Sequence, residues 1–151
     1  MIKLREPRED ELPALSALCL RSKAVWGYDD AFMAACVEEL TLHPDELSTT
    51  RLQLAEDEQG CIGIVQVAMD DEATASLEAM FVEPGRMGGG AGRLLFQWAT
   101  GQARTLGART MMIEADPEAA PFYRHMGAVN VGQAPSGSIP GRMLPLLRFD
   151  L

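Results

Sequence analysis

The sequence predicts a single α/β domain of the α+β kind, with a mixed, mostly antiparallel sheet of about six to seven strands flanked by about four helices. Three observations predict it. Apolar residues alternate with polar ones from Leu52 to Val82, interrupted by polar turns at 56–60 and 70–72, which reads as three successive antiparallel strands. A strongly amphipathic helix over 91–106 follows the third strand through a glycine cluster. A buried apolar strand then begins near Arg109, and a strand–helix–strand crossover closes most simply as a parallel pair. At 151 residues and 47% apolar, residues 1–151 fit one domain able to bury its own core.

Taken in order, Ile2 and Leu4 alternate with polar neighbours and mark a short first strand ending at Pro7. Leu12, Leu15, Leu18, Cys19 and Ser22 recur at helical spacing, behind acids Glu9, Asp10 and Glu11 that favour a helix N-terminus. Gly27, between Trp26 and Tyr28, breaks this helix, and Asp29 is placed to cap a second one carrying Phe32, Ala35, Cys36, Glu39 and Leu40. His43-Pro44 ends it. After the three-strand meander, Ala91, Leu94, Leu95, Trp98, Ala99, Gln102 and Leu106 line one helical face, with Gly107 as C-cap. Met111, Met112 and Ile113 form the buried strand, and 117–126 reads as a short helix with Asp116 as N-cap and Gly127 beyond its end. Val129 and Val131 open another strand. A Gly/Ser/Pro loop separates it from a last strand, 143–149, where Pro145 argues for an edge or a bulge.

Thirteen Lys and Arg against 22 Asp and Glu leave a net charge of −9, which argues against nucleic acid as a partner and for a cationic or neutral one. Cys19, Cys36 and Cys61 are odd in number and form no C-x-x-C, so they read as buried small hydrophobes rather than a disulfide framework or a metal site. The N-terminus has no apolar core of a signal peptide, and no apolar run reaches the roughly 18 residues of a membrane span. A cytoplasmic protein without a membrane partner is the expectation.

The chemistry concentrates at the glycine cluster. A helix N-terminus leaves backbone N–H groups unpaired, and Gly88, Gly89, Gly90 and Gly92 let an anion approach them. Arg86 and Arg93 flank the turn with no acid between them. A Walker loop would need Lys-Ser/Thr after the last glycine, where Arg93-Leu94 stand. A dinucleotide fingerprint counted from Gly88 puts Arg93 at its third glycine, although Glu114 stands where a ribose acceptor belongs.

The pattern Phe81-Val82-Glu83-Pro84-x-x-Met87-Gly88-x-Gly90-x-Gly92-Arg93-Leu94-Leu95 resembles the acetyl-CoA-binding motif of the GNAT superfamily of N-acetyltransferases. Downstream, Asp116-Pro117-Glu118-Ala119-Ala120-Pro121-Phe122-Tyr123-Arg124-His125-Met126-Gly127-Ala128 resembles the family's second motif. The order of strands and helices matches along nearly the whole chain. Met87 departs from the usual Gln or Arg that opens the turn, and Ala128 from the usual aromatic after Gly127.

The resemblance implies a GNAT-like sheet with a splayed central parallel pair, acetyl-CoA as co-substrate, no metal, a small-molecule amine as acceptor, and a homodimer at family level. It implies cofactor contacts at Met80, Phe81, Val82, Arg86, Met87, Gly88, Gly89, Gly90, Ala91, Gly92, Arg93, Pro117, Ala120 and Phe122. Tyr123 stands at the family's general-acid position, and a phenol near pKa ~10 can protonate a thiolate near ~8.5. It also reads as a half-buried packing residue. Glu78, an acid inside an apolar strand, is the candidate base, two residues beyond the family's usual place at Ser76; a solvent-facing strand residue is the rival reading. His125 is a further candidate proton acceptor, with a structural or exposed helical histidine as the rival reading. For the acceptor, Trp26 and Tyr28 offer cation–π contacts or a hydrophobic staple around Asp29, and Arg142 offers a grip on the carboxylate of an amino-acid-like substrate or a rigid dimer contact. A catalytically silent CoA-binding regulatory module and a nicotinamide-dependent enzyme are the competing functions.

Overall fold

The computed structural model describes residues 1–151. Along the chain run β1 (Lys3–Arg5), α1 (Leu12–Ala24), α2 (Asp30–Cys36), α3 (Glu46–Thr49), β2 (Arg51–Asp57), β3 (Gly60–Met69) and β4 (Thr74–Val82). There follow α4 (Ala91–Thr105), β5 (Thr110–Glu114), α5 (Ala120–His125), β6 (Val129–Pro135) and β7 (Met143–Asp150). All seven strands join one sheet in the order β1-β2-β3-β4-β5-β7-β6. Every neighbouring pair is antiparallel except β4–β5, so the expected mixed sheet and its crossover through α4 are both present.

Each face of the sheet is covered. Leu95, Phe96, Ala99 and Ala103 of α4 pack with Val65, Val67, Met111 and Leu147 in the larger core cluster, which also takes in Ala120 and Tyr123 of α5. Leu12, Leu15 and Cys19 of α1 pack with Leu52, Leu54 and Ile64 in a second cluster. A fully buried leucine such as Leu95 stabilises by about 2 kcal/mol, so the amphipathic stripe of α4 is ample reason for its docking.

Several boundaries differ from the sequence reading. α2 stops at Cys36 and gives way to turns, leaving Glu39 and Leu40 outside the helix. A fifth, one-turn helix, α3, forms where a loop was expected, with the Ser48 and Thr49 hydroxyls donating back to Asp45 O at 3.0 and 3.1 Å. α5 begins only at Ala120, because Asp116 accepts from the Glu118 amide (2.9 Å) in a tight turn ahead of the helix rather than capping it. Cys61 is exposed, unlike Cys19 and Cys36, since it sits beside the polar turn that opens β3. Pro145 lies in β7, an interior strand, not at an edge. Its carbonyl accepts from Ala115 just past the end of β5, so the absent N–H faces a side where the neighbouring strand has already turned away.

Candidate active site

β4 and β5 are paired over only Thr74–Ser76 and Thr110–Met112. Beyond Ser76, β4 keeps β3 as its neighbour, while Ile113 and Glu114 of β5 pair only with β7. The sheet therefore opens between the two parallel strands, and the β5-facing backbone groups of 77–82 lose their strand partner. Glu78 marks the opening. Opposite Gln66 and Val67 stand Ala79 and Leu77, so Glu78 is the extra residue of a β-bulge. One inserted residue reverses which side chains face which layer: Ala75 and Leu77 pack in the α4 core, then Met80 and Val82 do, while Ala79 and Phe81 turn to the α1 side. The strict alternation of Leu77, Glu78 and Ala79 expected from the sequence is broken there.

The chain leaves β4 through a tethered turn. Arg21 of α1 donates from Nε and Nη2 to Glu83 at 2.9 and 2.7 Å, and Arg86 pairs with Asp57 on the opposite side. Gly88 and Gly90 then adopt φ of +84° and +89°, with nothing within 4 Å of where a Cβ would stand. Gly90 is the N-cap of α4 and has no side chain to cap it. The first helical bond at this end runs from Leu94 N to Gly90 O (3.2 Å), so the amides of Ala91, Gly92 and Arg93 remain as donors at the positive end of a 15-residue helix. A cradle that a Cβ would fill, floored by unpaired amides, fits a pyrophosphate.

The turn and the split between strands border one cavity of about 650 Å³. Met80, Phe81, Val82, Met87, Gly88, Gly90, Gly92, Arg93 and Phe122 line it, together with Glu78, Tyr123, His125, Trp26 and Arg142. Tyr123 is 6% exposed, its ring against Phe96 and Phe122. Burial, with the charge of Asp116 adding to it, pushes its phenol well above the usual range, so it stays protonated. No fully buried side-chain polar atom lacks a partner, and Tyr123 makes no side-chain hydrogen bond within the chain, so its hydroxyl keeps access to the cavity. Glu78 is exposed to the cleft at its bulge. Desolvation by the cleft walls, then repulsion from Asp70, raises its carboxyl above the ordinary 4.5.

Asp116, directly after β5, organises the far wall. Its carboxylate accepts from the Tyr28 hydroxyl at 2.8 Å and from Lys23 Nζ at 3.0 Å, with Arg142 Nη2 at 3.8 Å. Arg142 also donates to the Tyr28 oxygen (2.9 Å) and lies 4.9 Å from the Phe32 ring, which stacks on Tyr28 at 4.0 Å. Burial works to raise the Asp116 pKa. The Glu118 amide, Tyr28 and Lys23 overcome it and hold the carboxyl below its usual value. Burial and Asp116 together push Tyr28 up to about 12.

Tyr123 and Glu78 thus share a cavity with most of the residues expected around the cofactor. Arg86 does not line it: its guanidinium is engaged by Asp57, which leaves Arg93 as the unpaired cation at the turn. Gly89, Ala91, Pro117 and Ala120 are also outside the lining, Ala91 and Ala120 being buried beneath it. Tyr28 stands behind the wall and reaches the cavity only through Asp116 and Arg142. The capping of α2 by Asp29 is real, its Oδ1 accepting from Phe32 N at 2.8 Å, so this cap and the cavity-lining Trp26 share the same segment. Sequence reading missed Lys23, Asp116, Glu39 and Glu118 as lining groups. The only local signal was the position of Asp116 at the tip of a buried strand.

No group of His, Cys, Asp or Glu is arranged to hold a metal ion, and no helix is long and apolar enough to cross a membrane. Among curated proteins none matches the sequence. Solved structures match in fold. The PaiA N-acetyltransferase from Thermoplasma acidophilum, in complex with coenzyme A, is 14% identical with a TM-score of 0.82, over 100% of this chain and 99% of that one. The structure of yncA from Salmonella typhimurium with its cofactor acetyl-CoA is 16% identical with a TM-score of 0.70, over 99% and 94%. The ribosomal-protein-S18-alanine N-acetyltransferase from Escherichia coli is 14% identical with a TM-score of 0.71, over 99% and 94%. The model of the acetyltransferase (GNAT) family matches residues 13–128, which take in the strand split, the glycine turn and the Tyr123 helix alike, and the chain belongs to that family.

Proposed function

We propose that this protein transfers the acetyl group of acetyl-CoA directly to a primary amine of a small molecule. One observation carries the reading: the opened β4–β5 edge, the unpaired amides of the glycine turn, Tyr123 and Glu78 all border a single cavity. Bound acetyl-CoA supplies the activated acyl group and a thiol leaving group. The amides of Ala91, Gly92 and Arg93, with the Arg93 guanidinium, hold its pyrophosphate, and the free backbone edge of 80–82 holds its pantetheine arm.

Tyr123 is the proton donor to the departing sulfur. Its raised pKa keeps the proton on the phenol until a thiolate forms beside it. Glu78 takes a proton from the acceptor ammonium, a task helped by a carboxyl pKa raised above its ordinary value by desolvation. Backbone N–H groups on the open β4 edge stabilise charge developing on the acyl oxygen. Arg142 is occupied by Tyr28 and Asp116, so the geometry favours an acceptor without a carboxylate over an amino-acid-like one.

Thermal unfolding with acetyl-CoA, CoA and NAD tests the donor, since a ligand at 100 times its Kd adds about 2.7 kcal/mol. Stabilisation by NAD and not by acetyl-CoA overturns the reading. Thiol release across a panel of amines then tests the transfer, and binding of CoA with no release on any amine leaves the silent module in its place.

A further inference from the structure

The buried stripe of α1 ends on a polar residue. Leu12, Leu15, Leu18 and Cys19 are buried, and Ser22 continues their line at 5% exposure. A hydroxyl in such a place is costly unless it is hydrogen-bonded. Elsewhere in the chain helical hydroxyls turn back onto a carbonyl, Ser16 onto Leu12 O at 2.9 Å and Thr100 onto Gln97 O at 3.0 Å. Ser22 makes no hydrogen bond within the chain, and no fully buried side-chain polar atom lacks a partner, so its oxygen opens to the main cavity, which Ser22 lines.

The course of α1 fixes which part of the cavity this is. Cys19, one turn earlier, packs in the cluster that takes in Ala79 and Phe81 of β4. Lys23, the next residue, pairs with Asp116 directly after β5 at 3.0 Å. The helix thus crosses the gap between the parting strands, and Ser22 stands over it. Tyr123 borders the same gap from the opposite face, since it packs in the cluster of α4. Of the other hydroxyls that line the cavity, Ser136 accepts from the amides of Ser138 and Ile139 at 3.2 and 3.0 Å, and Ser138 donates to Glu39. That leaves Tyr123 and Ser22, one on each face of the split, as the hydroxyls free to meet a ligand.

We infer that Ser22 donates its hydroxyl hydrogen to the thioester oxygen of acetyl-CoA, as the second donor of an oxyanion site whose first donor is a backbone amide on the open β4 edge. The inference rests on the proposed acetyl transfer and adds a residue to its chemistry. In that reaction the nitrogen has Glu78 and the sulfur has Tyr123, while the oxygen has only main chain. An oxygen that gains negative charge in the transition state is held better by two fixed donors than by one. The step balances as follows: the amine, having given one proton to Glu78, bonds to the acyl carbon, and the carbonyl π pair moves onto the oxygen between Ser22 and the β4 amide. The pair returns as the C–S bond breaks, sulfur takes the Tyr123 proton, and the proton then shed by nitrogen restores the phenol. Ser22 keeps its own proton throughout. A neutral donor suits this buried place, and the neighbouring cation in the chain, Lys23, is already held by Asp116.

Infrared difference spectra of acetyl-CoA, isotopically labelled at the thioester carbon and bound to the parent or to Ser22→Ala, read that oxygen directly. Loss of a donor should move the bound carbonyl band to higher frequency in the variant. By calorimetry the variant should bind acetyl-CoA about fivefold more weakly, the loss of one neutral hydrogen bond, and bind CoA, which has no acyl oxygen, within about twofold of the parent. The thermal midpoint of the ligand-free variant should stay or rise, because the hydroxyl has no partner there and alanine is the better helix former. The same band position in both proteins overturns the inference, as does equal weakening of the two ligands or of neither. A lowered midpoint without ligand overturns it too, since the hydroxyl would then serve the fold. The broader reading fails separately: a parent that binds neither acetyl-CoA nor CoA removes both proposals, whereas tight binding of acetyl-CoA with an unmoved band removes Ser22 alone.

Discussion

The two walls of the cavity are built on different principles. The wall at the glycine turn is made of main chain: amides at the start of α4 and the open edge of β4, within one stretch of about 17 residues from Ala79 to Leu95. The opposite wall is made of side chains from separate elements, with Lys23 from α1, Tyr28 and Phe32 around the start of α2, Asp116 after β5 and Arg142 ahead of β7. A backbone site needs small residues in the right places and tolerates varied neighbours. A side-chain site needs particular groups, and each depends on the others for charge balance.

Breaking the second wall at its centre should have the largest effect. Asp116→Ala leaves Lys23 and Arg142 facing one another without their carboxylate and should cost about 3 kcal/mol in urea unfolding. A loss below about 1 kcal/mol would reduce the cluster to an ordinary surface pairing. Tyr123→Phe keeps the packing against Phe96 and should lower kcat about 100-fold while the acetyl-CoA Kd, read by calorimetry, stays within about twofold. An unchanged kcat removes Tyr123 from the chemistry.

Gly90→Val tests the backbone wall. A β-branched residue at φ +89° should cost about 2 kcal/mol in thermal unfolding and weaken acetyl-CoA binding by clogging the cradle. Retained affinity would mean that the turn does not hold the donor. Arg93→Ala should weaken acetyl-CoA about fivefold at low salt, with the difference shrinking as salt rises; the same salt response in parent and variant would show that its charge is not used.

The smallest effect is a change of slope. Asp116 has a folded pKa below its ordinary 3.8, so its contribution is complete above that value and lost as pH falls through the folded one. Asp116→Asn should therefore flatten the decline in stability below about pH 4, and an unchanged acid limb would assign that decline to other acids such as Glu11, held at about 2 by Arg5.

The same contrast explains how much was readable beforehand. The glycine turn, α4 and the strand–helix–strand unit were visible because each is local: a run of glycines, a 3.6-residue stripe, an alternation ending in a turn. Tyr123 was singled out because its motif is contiguous. The pairing of Lys23 with Asp116 went unseen, since nothing in the sequence around either residue announces that the two side chains meet at 3.0 Å. Arg86 and Arg142 were read as hands for a ligand's anion, and both are taken by acids of this chain, Asp57 and Asp116. Residue type alone cannot tell a free cation from a paired one. Glu78 was noticed as an acid out of place, but not as a bulge, because the register against Gln66 and Val67 depends on β3.

By itself the sequence determined the class of fold, the parallel crossover through α4 and the glycine turn with free amides at its start, because these follow from periodicity, glycine placement and the unpaired amides every helix end carries. Only the tertiary structure decided where β4 and β5 part, which charges stay unpaired, and that Ser22 and Tyr123 line one cavity. Those outcomes depend on contacts between residues far apart in the chain, and the energy of such a contact is set by which partner arrives rather than by either residue alone.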